Sequence, residues 1–275
     1  MKKTSEVSFS AAKNKLLNSL MLAAFVAPGV ALAADMETTS HKEDQHLIPA
    51  SEHTVTANLG LFSNYLYRGI SQTSAKPAVQ GGVDYAHSSG FYAGVWGSNI
   101  SWLSDAAVAT AASLELDTYA GYKSSFAADF TYDVGFLRYN YPGVYPSGAT
   151  TGDTNEIYGA VGWKWITAKY SRSLGQTFGV ADAKGSSYID LSASYPIADA
   201  GVSVSAHYGK QTYTGATATA ATYSDYKLGA TKDFSGYVLG LAYSKTNAAA
   251  GGFYTNPQGK DLGKGTAVLS VAHSF

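Results

Sequence analysis

The 275-residue sequence contains no cysteine. This excludes a disulfide framework and thiolate chemistry, and it makes an oxidising destination tolerable. Charge is scarce as well: Asp, Glu, Lys and Arg together make up 14% of the chain, against about a quarter in an average soluble domain. The 19 basic and 20 acidic residues leave a net charge of −1. Nothing here resembles the clustered Lys and Arg that displace counterions from phosphates, so nucleic acid is not expected as a partner. After the N-terminal segment no apolar run approaches the ~18 residues a spanning helix needs. P-loop, dinucleotide-binding and G-x-S-x-G patterns are all missing, so no cofactor and no enzymatic activity are expected.

At the N-terminus, Lys2, Lys3, Lys13 and Lys15 precede an apolar run from Leu16 to Val26, followed by Ala31-Leu32-Ala33. Basic, apolar, then small is the order of a secretory signal peptide, expected to cover residues 1–33. Its removal leaves 15 basic and 19 acidic residues, a net charge near −4. Residues 34–53 are polar, highly charged and aperiodic, and read as a disordered periplasmic extension. His41 and His46 in this tail lie five apart, about 140° around a helix, so the superficial likeness to H-E-x-x-H predicts no metal site.

Gly (29), Tyr (21) and Phe (11) are abundant, a composition suited to a β-rich chain with aromatic girdles. Period-two alternation then runs through most of residues 54–275. Val55, Ala57, Leu59 and Leu61, continuing into Ser63, Tyr65 and Tyr67, oppose Thr56, Asn58, Gly60 and Asn64. The same apolar–polar phase recurs in Val79–Tyr85, Leu114–Ala120, Phe130–Phe136, Ile157–Trp163, Ile189–Tyr195, Val202–Tyr208, Tyr226–Ala230 and Tyr237–Tyr243. Such alternation fits strands with one lipid face and one lumen face. Twelve strands are expected, at 55–68, 78–87, 91–99, 114–122, 129–139, 155–164, 166–174, 187–196, 201–212, 223–232, 237–245 and 265–275. Long connections rich in Gly, Ser, Thr and Ala alternate with tight ones, as in outer-membrane barrels. The fold class expected is therefore all-β, a transmembrane antiparallel up-and-down β-barrel of 12 strands occupying 54–275. A secreted sandwich is the competing architecture, and it has no reason to alternate its loop lengths so regularly.

The last strand places Ala267, Leu269, Val271, His273 and Phe275 on one face and ends on an aromatic. This resembles the C-terminal signal of outer-membrane proteins, and implies recognition of Phe275 by the barrel assembly machinery. Ser63-Asn64-Tyr65-Leu66-Tyr67-Arg68-Gly69-Ile70-Ser71-Gln72-Thr73, then Pro77–Tyr85 and Gly90–Asn99, are similar to the opening of the TorF-family porins. Leu114–Asp117, Tyr119–Tyr122, Tyr139–Gly143 and Glu156–Gly159 continue the likeness. The resemblance implies an outer-membrane barrel that forms a pore, without naming a solute.

By phase, the charged side chains expected to line the lumen are Arg68, Asp84, Glu115, Asp117, Asp133, Glu156, Lys164, Lys169, Asp190 and Lys227. These are six acids and four bases, which predicts a weakly cation-selective passage for small polar solutes or ions. Arg68 is read as a loop anchor in preference to a constriction. Glu115 and Asp117, about 7 Å apart on one face, could hold a cation or pair with a base. A rival reading is an adhesin or structural barrel whose loops bind partners. A lipid-modifying enzyme would need a nucleophile and base, and offers only His207 beside Ser203 and Ser205, or His273 near the terminus. The partners expected are outer-membrane lipid, the assembly machinery and small solutes, with the barrel a monomer or homo-oligomer.

Overall fold

The structure, a computed structural model, describes residues 51–275; the expected signal peptide and nearly all of the tail lie outside the described residues. Twelve long strands form the wall: β1 (His53–Phe62), β4 (Ala78–His87), β5 (Phe91–Asn99), β6 (Leu114–Ala127), β7 (Phe130–Asn140) and β8 (Thr154–Trp163) are the first six. The others are β9 (Ile166–Ser173), β10 (Ser187–Ile197), β11 (Val202–Thr212), β12 (Tyr223–Phe234), β13 (Tyr237–Thr246) and β14 (Thr266–Ser274). Two-residue strands β2 (Leu66–Tyr67) and β3 (Ile70–Ser71) form a separate miniature hairpin. Each wall strand pairs antiparallel with its neighbours, and β14 returns to β1, so the sheet is a closed 12-stranded barrel. Closure satisfies the ladder hydrogen bonds that an open edge would leave bare in hydrocarbon.

The outer surface explains the alternation. Val55, Leu59, Leu61, Val83, Val134, Val161, Leu191, Leu228, Leu241 and Leu269 are all exposed, on the face opposite the polar side chains. Charged side chains in this outward phase occur only near strand ends: Arg138, Arg172, Lys210 and Lys245 towards the long loops, Lys232 towards a turn. Between these levels the wall presents an uncharged apolar band, where Lys or Arg at mid-depth would cost about 2–4 kcal/mol. The long connections share one end, and the tight turns share the other end with both ends of the described chain. There Ala57 and Phe275 exchange backbone hydrogen bonds of 2.8 and 3.2 Å, extending the closing seam.

The strand expected at 114–122 runs on to Ala127, and the first expected strand differs in course. The first strand ends at Phe62 instead of continuing to residue 68, and Tyr65 and Tyr67, read as aromatics of the outer face, are 3% and 8% exposed inside the barrel. The chain turns inward after Ser63. The Asn64 amide oxygen accepts hydrogen bonds from Ser71 and Thr73 hydroxyls, and Arg68 and Gly69 adopt positive φ (46° and 78°) at the hairpin tip. Local polar bonding and this reversal outweigh the continuing alternation. His53, assigned to the tail from sequence, is the first residue of β1.

Candidate functional site

The inward turn makes the first long connection, residues 63–77, a plug. Residues 64–74 are buried except for half-buried Leu66, and their hairpin crosses the bore from the β1–β4 seam to the far wall. At its tip the Arg68 guanidinium donates to Glu156 of β8 at 2.8 Å and to Gln211 of β11 at 2.6 Å. Its charge lies 4.2 Å from the Tyr188 ring centroid and 4.8 Å from that of Tyr67. Gly69 presses on β12 and β13: a Cβ there would meet Asp225 Cβ and Thr246 Cγ2, each at 2.7 Å. A buried guanidinium needs this density of acceptors and ring faces to offset its lost hydration.

Aromatic packing seals the loop side. The Tyr67 hydroxyl donates to that of Tyr139 at 2.7 Å, and Phe178, from the loop after β9, meets the Tyr67 and Tyr139 rings edge-on. Tyr65 packs against Trp96 and donates to Glu115 at 3.0 Å. Outside the wall, the loops are clasped through Asp105, which accepts from Ser74 and Ser101 hydroxyls at 2.5 and 2.6 Å. Partial burial raises the Asp105 carboxyl, but these hydroxyls, with Lys76 and Lys260 nearby, outweigh it and hold the group below the usual carboxylate range. Lys260 in turn donates to the Ser74 carbonyl.

Beneath the plug lies a polar cavity of about 100 Å³. Charged and hydroxylated side chains from Arg68, Lys169, Tyr188, Asp190, Ser192, His207, Asp225 and Lys227 line it. His207 is suspended between two carboxylates, with Nε2 2.9 Å from Asp225 Oδ1 and Nδ1 3.3 Å from Asp190 Oδ2. Tyr188 donates to Asp225 at 2.9 Å, and Ser192 to Asp190 at 2.5 Å. On the opposite side Tyr92 donates to Asp133 at 2.6 Å and touches the Tyr158 hydroxyl, while Lys169 Nζ sits 3.9 Å from the Tyr158 centroid.

In sequence, residues 46–275 match the family described as "Bacterial protein of unknown function (Gcw_chp)". The chain belongs to the Gcw_chp family. No curated protein matches it. Among solved structures it is similar to the KdgM porin in complex with disordered oligogalacturonate, at 7% identity and TM-score 0.49 over 81% of this chain and 99% of that one. The NanC porin gives 11% identity and TM-score 0.48 over 81% and 99%. OprD from Pseudomonas aeruginosa gives 14% and 0.37 over 80% and 66%.

In this Gcw_chp barrel, Asp84, Glu115, Asp117, Asp133, Glu156, Lys169, Asp190 and Lys227 stand on inward positions of wall strands, and Arg68 enters the lumen on the plug. Lys164 is a correction: it occupies the tight turn between β8 and β9 with φ of 52°, over the rings of Trp163 and Trp165 and 3.9 Å from Asp129. The strand ends one residue before it, so the period-two phase that placed it inside no longer applies. His207 and Asp225, both inward by phase, are central to the cavity but missing from the expected set. In the sequence His207 stands out only as a candidate base, and Asp225 by nothing beyond its place on the polar face of its strand. Ser192, His207 and Asp225 do fall in line, unlike Ser203 and Ser205, which the sequence put beside the histidine. Yet Ser192 gives its proton to Asp190, and each nitrogen of the ring faces a carboxylate.

Glu115 and Asp117 are 1% and 0% exposed behind Tyr65. No ion pair reaches either among the described residues, and both Asp117 carboxylate oxygens and Glu115 Oε2 have no hydrogen-bond partner. An unpartnered buried carboxylate destabilises. Asp117→Asn is therefore expected to raise the stability of the refolded barrel by about 1–3 kcal/mol, measured as a higher urea midpoint. A lower midpoint would show that the carboxylate is needed as a charge.

Proposed function

We propose that this barrel is an outer-membrane diffusion channel for small ions or polar solutes, narrowed by its own first loop. The observation that carries the reading is the charged cavity closed on the loop side by a hairpin whose tip is held by one ion pair. Such an interior is hydrated and solute-binding in character, whereas a purely structural barrel has no need of a cavity bounded by Lys169, Lys227, Asp190 and Asp225. A 12-stranded bore is also narrow enough for one hairpin to obstruct. The basic–apolar–small order of residues 1–33 and the closing strand ending at Phe275 support export and insertion by the assembly machinery. The TorF likeness of Ser63–Thr73 falls on the plug itself.

The cation preference expected from sequence rested on six acids, two of which, Glu115 and Asp117, lie behind Tyr65 and away from the cavity. Arg68 is neutralised by Glu156, and Lys169, Lys227 and His207 remain against Asp190 and Asp225. Passage is therefore only weakly charge-selective. Catalysis is not part of the reading, because Ser192 and His207 are occupied by Asp190 and Asp225. The test is planar-bilayer recording of the refolded barrel under a salt gradient. Small discrete steps with a reversal potential near zero support the channel. A folded barrel that never conducts would favour the structural or adhesin alternative.

A further inference from the structure

At the turn end of the barrel, Glu52, His53 and His87 bring one ligand atom each to within 4.8 Å of one another. Their placement follows from register. His53 and His87 are directly paired across β1 and β4, and the Ser88 N–H donates to the Glu52 carbonyl at 2.9 Å. Glu52–Ser88 is thus a hydrogen-bonded pair, which makes His53–His87 the following non-hydrogen-bonded pair, the kind with the closest side chains. The two imidazole centroids lie 5.1 Å apart.

We propose that Glu52, His53 and His87 form a site for a divalent transition metal of the imidazole-binding class, with zinc as its occupant. Two imidazoles and one carboxylate are a donor set suited to Zn²⁺, leaving a fourth position for water. Tetrahedral coordination with Zn–N near 2.0–2.1 Å needs ligand atoms about 3.3 Å apart, a closure that small side-chain rotations on an exposed rim supply. Each ring also has an outer partner: His53 Nδ1 is 2.8 Å from the Tyr85 hydroxyl and His87 Nδ1 is 2.6 Å from Ser89 Oγ. With the proton on Nδ1 directed to those hydroxyls, each ring presents Nε2 to the metal. The Ser89 N–H, 3.1 Å from His87 Nδ1, would release that nitrogen on binding.

The position gives the site a structural consequence. On the β14 side, β1 is paired only at Asn58–Phe62, plus the Ala57–Phe275 bonds. Among the described residues, 53–56 therefore have β4 as their one neighbouring strand and form the exposed end of the closing seam. A metal bridging His53 and His87 cross-links that end to β4.

The test titrates Zn²⁺ and Co²⁺ into the refolded full-length mature barrel. Expected are one bound metal per barrel, the intense visible Co²⁺ absorption of four-coordinate sites, and a urea midpoint that rises with Zn²⁺. His53→Ala and His87→Ala should each weaken binding at least tenfold and abolish the rise in midpoint with Zn²⁺, each measured against the same variant without metal. Changing both His41→Ala and His46→Ala in the tail should leave binding intact. Retention of wild-type affinity in the His53→Ala/His87→Ala double variant, or loss of binding in the tail variant, would overturn the assignment.

Discussion

Replacing Arg68 by alanine is expected to raise the single-channel conductance severalfold and make it fluctuate, with the barrel itself still folded. Arg68 is the only basic side chain that pairs with Glu156 among the described residues, and that carboxylate is 2% exposed. Removing one partner of a buried pair leaves the other charge uncompensated and costs about 3–5 kcal/mol. Gln211 would lose its 2.6 Å bond, and Tyr67 and Tyr188 would lose the guanidinium over their rings. Apart from the Tyr67 ring, which lies on the hairpin itself, these contacts join the hairpin to the wall, and none joins one wall strand to another. The loss therefore falls on the seating of the plug, and the ladder from β4 round to β1 persists. Arg68→Ala combined with Glu156→Ala should recover part of the lost seating, because no buried charge is then abandoned. A double variant as noisy as Arg68→Ala alone would show that the rings and Gln211, and not the ion pair, hold the hairpin.

Shortening the plug should have a larger effect. Phe62 and Ala78 are register partners at the ends of β1 and β4, so deletion of residues 64–76 leaves a gap that a short Gly-Asn turn can close. The bore then loses Tyr65, Tyr67, Arg68 and Ile70, all buried in it, and water replaces them. We expect conductance to rise about tenfold or more, with Glu115 and Asp117 becoming reachable by solute and the ion preference moving towards cations. Closed barrels keep their wall hydrogen bonds without loop contacts, so the variant should still migrate as a folded, heat-modifiable species. Unchanged conductance in a folded, shortened barrel would mean that residues 64–76 do not lie in the path of the ions.

The wall was legible because lipid and lumen impose opposite chemistries on alternate residues. Val79–Tyr85 and Leu114–Ala120 could be assigned to a face from phase alone. The plug was not, because Tyr65 and Tyr67 continue the alternation of β1 without a break. What turns the chain is bonding from Asn64 to residues seven and nine positions on, together with positive φ at Arg68. Neither has a period. Arg68 could be named as a loop anchor, but its partners Glu156 and Gln211 lie 88 and 143 residues away, a separation that no local pattern encodes. Lys164 was misplaced for the converse reason: the period was extended one residue past a tight turn. His207 and Asp225 stood on the polar face throughout. Their importance comes from the plug leaving its cavity on their side of the bore.

The most direct test compares single-channel conductance of the wild-type, Arg68→Ala and loop-shortened barrels in one membrane at one salt concentration. The account predicts the order wild type, then Arg68→Ala, then the shortened barrel, with steps increasing from small and discrete to at least tenfold larger. Equal conductance in all three, with each shown to be folded, would contradict a channel narrowed by its first loop.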